Sequence, residues 1–334
     1  RNNEYVIINS DLSKKELLEN NLFNHMNLSL KINNYSFYVT SDIGVVNYPK
    51  DTTDIEQVLR YGFLTMNQAY QNRNTQILRF KPEYFQESVD EVELINSLRH
   101  AIDNDDVFIV YQDVIDIETN EIAYVETLAR WKHPQKGYIS PSTFFALANN
   151  SYMAIDLDVK ITEKTLRAFR EMRKQDKYKN AILTINITPK TFMYDSFDDI
   201  FLNLVKQYGF NNEDICIEIS ENTFVKDEFD FIFRVNQVKK HNIMIAIDDF
   251  GKKYSSLGVL DNINFDIIKV DKSFLDTLNS NSTQIILSMI KKLSVESNSK
   301  VIVEGVEDKK QLSCLKDIGF RYIQGYYFSK PYKP

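Results

Sequence analysis

Between Val107 and Gln324 the chain repeats one pattern eight times: a short apolar run, then a longer stretch with helical spacing. The runs are Val107 to Ile115, Ile122 to Trp131, Ile182 to Ile187, Ile215 to Ile219, Ile243 to Ile247, Asp266 to Val270, Val301 to Val303 and Tyr322 to Gln324. Strands that alternate with helices read as parallel crossover units, and eight of them in roughly 240 residues fit a (β/α)8 barrel, typically about 250 residues long. No short internal repeat or low-complexity segment competes with that reading. The expected fold class is therefore α/β, with a (β/α)8 TIM-like barrel over 105–334. A polar amphipathic stretch over 83–104 reads as a linker helix, and 1–82 as a smaller α/β piece. In that piece Glu4 to Ile8 and Tyr35 to Val46 read as strands, and Asp11 to Glu16 opens a helix. A second helix starts at Thr53-Asp54-Ile55-Glu56 and runs to about Arg73, with Ile55, Val58, Leu59 and Phe63 on one stripe.

Several strand positions that should be apolar are not. In Ile215-Cys216-Ile217-Glu218-Ile219 a period of two sets three isoleucines on one face and Cys216 with Glu218 on the other. Ile185-Asn186-Ile187, Ile245-Ala246-Ile247-Asp248-Asp249, Ile268-Lys269-Val270-Asp271 and Val301-Ile302-Val303-Glu304 repeat the arrangement. Each sets a polar group on the inward face near the strand's C-terminal end, where barrel enzymes carry their active sites. A single acid at a strand end is most simply a solvated one. The same polarity at the same end of five strands is not, because burying several carboxylates together is prohibitive without cations. The candidate ligands Glu126, Asn186, Glu218, Asp248, Asp249 and Glu304 are all oxygen donors, which suits Mg²⁺ or Mn²⁺ better than zinc. Adjacent Asp248 and Asp249 can serve two ions, as in two-metal hydrolases.

Other features exclude more than they assign. The chain has 334 residues and a net charge of -7, an acidic balance that argues against a nucleic-acid polymer as partner but not against a small anionic substrate. No apolar run approaches the ~18 residues of a membrane helix, and the first residues lack a signal-peptide layout. Cys216 and Cys314 are far apart with no CxxC spacing, which removes a disulfide scaffold and a thiolate zinc site and fits a reducing compartment. His25, His100, His133 and His241 show no metal-binding spacing and read as surface or turn residues. Cys216 reads as packing, and Tyr326, Tyr327 and Phe328 as a wall for a base.

The strings themselves resemble the EAL-domain family of cyclic di-GMP phosphodiesterases. Eight ordered blocks carry the resemblance: Tyr111-Gln112, ETLARW at 126–131, NITP at 186–189, EISE at 218–221, DDFGKKYSSL at 248–257, KVD at 269–271, EGVE at 304–307 and QGYYFSKP at 324–331. The resemblance implies hydrolysis of cyclic di-GMP to linear pGpG by a homodimer using two ions. Glu126, Asn186, Glu218 and bridging Asp248 match ligands of the first ion, and Asp249 and Glu304 the second-ion side. Lys269 matches the residue that holds the attacking water. Glu307 and Gln324 match outer and substrate-side residues, Gln112 and Arg130 match substrate contacts, and Glu221 matches the acid that steadies the loop after DDFG. Residues 1–82 look like the second half of a degenerate GGDEF domain, with RNNEY at 1–5 in the signature position and SDIGVVNYP at 41–49 on a later strand. Glu4 leaves GTP as a conceivable regulatory partner there. The bacterial cytoplasm is the implied location, with the chain as the cytoplasmic part of a larger sensor protein.

The chain departs from the family pattern at Thr127 (for Ala), Asp113 (for Pro), Ser220 (for Thr) and Lys252-Lys253 (for Thr-Gly). The last pair bears on loop geometry, since a bulky residue resists positive φ. In RNNEY, Asn3 replaces an acid and Arg1-Asn2 replace two glycines, so the half-domain should not make cyclic di-GMP. A non-catalytic cyclic di-GMP receptor is the rival reading, and an unrelated metal-dependent barrel hydrolase a remote one.

Overall fold

The computed structural model describes residues 4–10, 21, 28–32, 35–71, 77–220, 228–251, 263 and 265–334. Arg1 to Asn3 of RNNEY, the helix expected from Asp11, His25, Glu221, and Lys252 with Lys253 lie outside them. The chain divides into two compact units, Arg1–Leu94 and Ile95–Pro334. Among the described residues no helix is long and apolar enough to cross a membrane.

The first unit holds two small sheets. Strands β1 (Leu28–Ile32) and β2 (Tyr35–Val39) pair antiparallel, while β3 (Ile43–Val45) pairs parallel with β4 (Ile77–Arg79). The expected strand over Tyr35 to Val46 is thus two strands in different sheets, interrupted at Thr40-Ser41-Asp42. Glu4 to Ile8 is not a strand: no described strand pairs with it, and Tyr5, Val6, Ile7 and Ile8 are all exposed, so neither face of the alternation is buried. The helix Ile55–Gln71 forms, but it turns a different face inward. Ile55, Leu59 and Phe63 are exposed, whereas Thr65 and Ala69 are buried. Small residues decide this. A Cβ on Gly44 of β3 would sit 2.4 Å from the Gly62 carbonyl oxygen and 2.5 Å from the Met66 amide nitrogen, so backbone meets backbone there and the bulky stripe is turned aside.

The second unit is a closed barrel. Its strands are β5 (Val107–Asp116), β6 (Glu121–His133), β8 (Ile182–Asn186), β9 (Ile215–Ser220), β10 (Met244–Phe250), β11 (Ile267–Val270), β12 (Lys300–Val303) and β13 (Tyr322–Gln324), with β7 (Gly137–Ile139) a short flap on β6. The order β5-β13-β12-β11-β10-β9-β8-β6 closes through a β5–β6 pairing. All eight expected strands are present. The departure from a regular (β/α)8 barrel is β5, which runs antiparallel to both β6 and β13. Residues 117–120 form only a turn between β5 and β6, far short of the dozen or more residues a parallel crossover needs.

Among the described residues, helices Ala154–Met172, Phe197–Gln207, Glu228–Lys239, Asn281–Glu296 and Lys309–Ile318 lie in the connections β6 to β8, β8 to β9, β9 to β10, β11 to β12 and β12 to β13. Ala154–Met172 buries Leu157, Ile161, Thr165 and Phe169 at helical spacing. The last helix opens on a reciprocal Asp308–Gln311 capping box and ends at Gly319 with φ 97°. The C-terminal tail is tied back onto β5: Tyr111 and Tyr332 exchange backbone hydrogen bonds, and the Tyr332 hydroxyl donates to Asp113 at 2.5 Å.

Inside the barrel the period of two sorts the side chains into an apolar floor and a polar layer. The floor is Val114, Tyr124, Cys216, Ala246, Ile267 and Ile302, flanked by Ile182, Met244 and Tyr322. Two residues further along each strand stand Glu126, Glu218, Asp248, Lys269, Glu304 and Gln324, with Gln112 on reversed β5. Cys216 is fully buried in the floor and its thiol is pushed up by that burial, consistent with packing rather than chemistry.

Candidate active site

Lys269 of β11 is the centre of the polar layer. Its side chain is 0% exposed, and its ammonium lies 2.7 Å from Glu304 Oε1, 2.8 Å from Glu218 Oε2, and 3.2 Å from both Glu126 Oε1 and Asp248 Oδ1. Four strands thus deliver one carboxylate each to a single cation. Glu126 is further held by the Gln324 amide, whose Nε2 donates to Oε2 at 2.5 Å, and by Asn186 Nδ2, which donates to Oε1 at 3.2 Å. Gln324 Nε2 also reaches Gln112 Oε1 at 3.3 Å, and Gln112 Nε2 donates to the Ser329 carbonyl at 2.9 Å. The two glutamines therefore join β5, β13 and the tail at the rim.

Asp248 and Asp249 would point to opposite faces of a regular strand. A register shift between Ile247 and Phe250 and a left-handed φ of 59° at Asp249 break that alternation. Both acids are half-buried.

One ammonium does not balance these acids, and the titration directions show it. Burial pushes Glu126 up, but Lys269 and the hydrogen bonds from Gln324 and Asn186 outweigh it and hold Glu126 below the usual carboxylate range. Glu218 goes well up, through burial and the neighbouring Glu126 charge, in spite of Lys269. Asp248 is raised by burial and by Glu126 and Asp249. Glu304 is pushed up to about 8, again chiefly by burial. Lys269 rises well above the ordinary lysine value, because the four acids overcome a burial effect of opposite sign. Three of the four carboxylates are thus shifted toward the protonated form, which a further cation would oppose.

Glu218 Oε1 is buried without a hydrogen-bond donor, so the set has acceptor capacity left over. The all-oxygen chemistry of that set fits a hard divalent cation. Among the described residues no three acids are already gathered at ligand spacing around one point. The lysine ammonium takes the centre instead.

Other expected residues stand apart from Lys269. Arg130 is half-buried, with Nη1 donating to the Ala129 carbonyl at 2.9 Å. Glu307 is exposed at the entry to the helix Lys309–Ile318, with its backbone amide donating to Gln311 Oε1. Tyr326 and Tyr327 are exposed beyond β13. His133, expected as a surface or turn residue, is instead the buried last residue of β6, where its Nδ1 accepts from the Gln135 and Lys136 amides of the turn that follows.

Two acids were not singled out from the sequence. Asp271 is buried, and its Oδ1 accepts from the Ser273 amide at 2.9 Å, which fixes the turn after β11. Its signal was the same inward phase as Lys269. Asp158 is 1% exposed on the apolar stripe of Ala154–Met172, and a charge at a stripe position was its signal.

A family profile described as EAL domain matches residues 95–331. The chain is 32% identical over 253 residues to PdeG of Escherichia coli, named a probable cyclic di-GMP phosphodiesterase, covering 74% of this chain and 48% of that protein. It is 26% identical over 320 residues to the cyclic di-GMP phosphodiesterase NbdA of Pseudomonas aeruginosa, covering 94% of this chain and 40% of the relative. The chain thus spans less than half the length of each. Among solved structures, an EAL enzyme with cAMP and cyclic di-GMP bound is similar with TM-score 0.71 and 26% identity, covering 84% of this chain and 74% of the other. The PaMucR phosphodiesterase in complex with c-di-GMP is similar with TM-score 0.67 and 26% identity, covering 72% and 97%.

Proposed function

The chain belongs to the EAL domain family, and from that premise we propose that it hydrolyses cyclic di-GMP to linear pGpG with the help of two Mg²⁺ or Mn²⁺ ions. The observation that carries this reading is the buried Lys269 with four carboxylates around it, an excess of negative charge at the C-terminal end of a barrel. In the proposal Glu126, Asn186, Glu218 and Asp248 would hold the first ion, and Asp249 and Glu304 would serve the second beside Asp248. Bound there, the ions would neutralise the phosphodiester and acidify the attacking water.

The chain's own residues supply the rest. Lys269 would orient the water with its ammonium, and its charge offsets the mutual repulsion of the four acids. Gln324 and Asn186 fix the Glu126 carboxylate so that both its oxygens have defined partners. Arg130, turned from the Ala129 carbonyl, presents a guanidinium fork suited to two phosphate oxygens, while Gln112 and Gln324 line the substrate side. Glu307 acts from outside the ligand set.

The test is purified protein incubated with cyclic di-GMP, with Mg²⁺ or Mn²⁺ and with EDTA, resolved by chromatography. Product in the metal arms alone supports the enzyme. Cyclic di-GMP binding without product in any arm favours the receptor reading, which the Lys269-centred arrangement would suit. We also propose that the enzyme is a homodimer, and that the 1–82 piece is a degenerate GGDEF half that makes no cyclic di-GMP from GTP but regulates the barrel by binding GTP. A turnover that ignores GTP, together with no GTP binding, would reduce that piece to a packing remnant.

A further inference from the structure

Asp158 belongs to no part of the carboxylate set, yet it is the one acid on the buried stripe of the helix Ala154–Met172. Its Oδ2 accepts two hydrogen bonds from the same residue, the Thr188 amide at 3.0 Å and the Thr188 hydroxyl at 2.6 Å. The Thr188 hydroxyl lies 3.0 Å from that of Thr191. Oδ1 of Asp158 is buried without a partner. It borders a narrow, largely apolar cavity shared with Thr162, Ile187 and Tyr194, with room for about one water molecule.

Thr188 stands at the start of the one-turn helix Pro189–Phe192, and Pro189 restricts its backbone. Two residues earlier, Asn186 donates to Glu126, and between them the Ile187 amide donates to the Glu218 carbonyl at 3.1 Å. The segment 186–188 is therefore pinned to β9 at Ile187 and to the outer helix at Thr188. A carboxylate is a costly anchor in a buried place when a neutral acceptor could take the same two bonds. Charge-assisted bonds are shorter and stronger, so what the acid adds is stiffness at Thr188.

We propose that Asp158 is a positioning residue which, through Thr188, sets the side-chain amide of Asn186 for its place in the site. The inference rests on the two-ion reading above. Outer groups that orient a ligand typically change metal affinity about 10-fold or more when removed.

The experiment measures Mn²⁺ binding to the full chain by calorimetry, with thermal unfolding alongside, for Asp158→Ala, Asp158→Asn, Thr188→Val and Asn186→Ala, singly and combined. Asp158→Ala and Thr188→Val should each weaken Mn²⁺ binding about 10-fold in the parent background and leave it nearly unchanged when Asn186 is already alanine, because they act through that residue. Asp158→Asn, which keeps an acceptor for Thr188 but not the charge, should recover part of the affinity lost in Asp158→Ala. Equal losses with and without Asn186, or parental affinity in Thr188→Val, overturn the inference and leave Asp158 a purely structural group. Should Asp158→Ala fail to fold, Thr188→Val, alone and combined with Asn186→Ala, carries the same comparison. Absence of Mn²⁺ binding by the parent chain overturns the two-ion reading, and this inference with it.

Discussion

Replacing Lys269 by methionine keeps a long buried side chain and deletes its charge. At an effective dielectric constant near 20, each of its four carboxylate contacts at 2.7 to 3.2 Å is worth roughly 5 to 6 kcal/mol in gross attraction. That gross sum is not what the protein loses. The acids repel one another, and a carboxylate deprived of its cation can take up a proton. Glu304, pushed up to about 8, does so at little cost near neutrality, and Glu218 and Asp248 are raised in the same direction. Glu126 is the exception, being held below its ordinary 4.5 largely by Lys269. Removing one partner of a buried ion pair typically costs about 3 to 5 kcal/mol, and Glu126 is where that loss should fall. For a unit of this size that is a fall in Tm of roughly 10 °C. The assay is thermal unfolding at pH 7 in EDTA, repeated with Mn²⁺, which should stabilise the variant more than the parent because it returns positive charge to the site. If Lys269→Met melts within about 2 °C of the parent in EDTA, the lysine does not hold the acids together.

The remaining predictions concern activity, pH and the floor of the barrel. Asp248→Asn should lower cyclic di-GMP hydrolysis at least ~10²-fold, while Thr127→Ala, on the outward face of β6, should stay within a few-fold, both read by chromatography of the product. Asp158, raised from 3.8 to about 6 by burial, takes up a proton on folding; its contribution to stability is fully present below 3.8 and is lost as pH rises through 6, at most about 3 kcal/mol. Asp158→Asn should therefore gain on the parent in urea unfolding between pH 4 and 6.5, and a constant difference across that range would contradict the assignment. Cys216→Ala should leave turnover within a few-fold, and the folded parent should resist alkylation at Cys216, as mass spectrometry of the labelled peptide would report.

The sequence alone determined the eight barrel strands and the inward phase of Glu126, Asn186, Glu218, Asp248, Lys269 and Glu304, because alternation is a property of neighbouring residues and survives in the linear string. It also showed that Cys216 belongs to packing. What it left open was everything set by strands distant in the chain meeting at one register. Lys269 read as one more inward charge, and only closure of the barrel placed it among acids from β6, β9, β10 and β12. The reversal of β5 followed from a short turn whose consequence depends on the pairing with β13. In the helix Ile55–Gln71 the apolar stripe pointed to one face and a backbone contact between Gly44 and Gly62 selected another, since close approach depends on what is absent from both partners. Asp158 carries a charge on an apolar stripe, and only Thr188, thirty positions away, supplies the two donors that account for it.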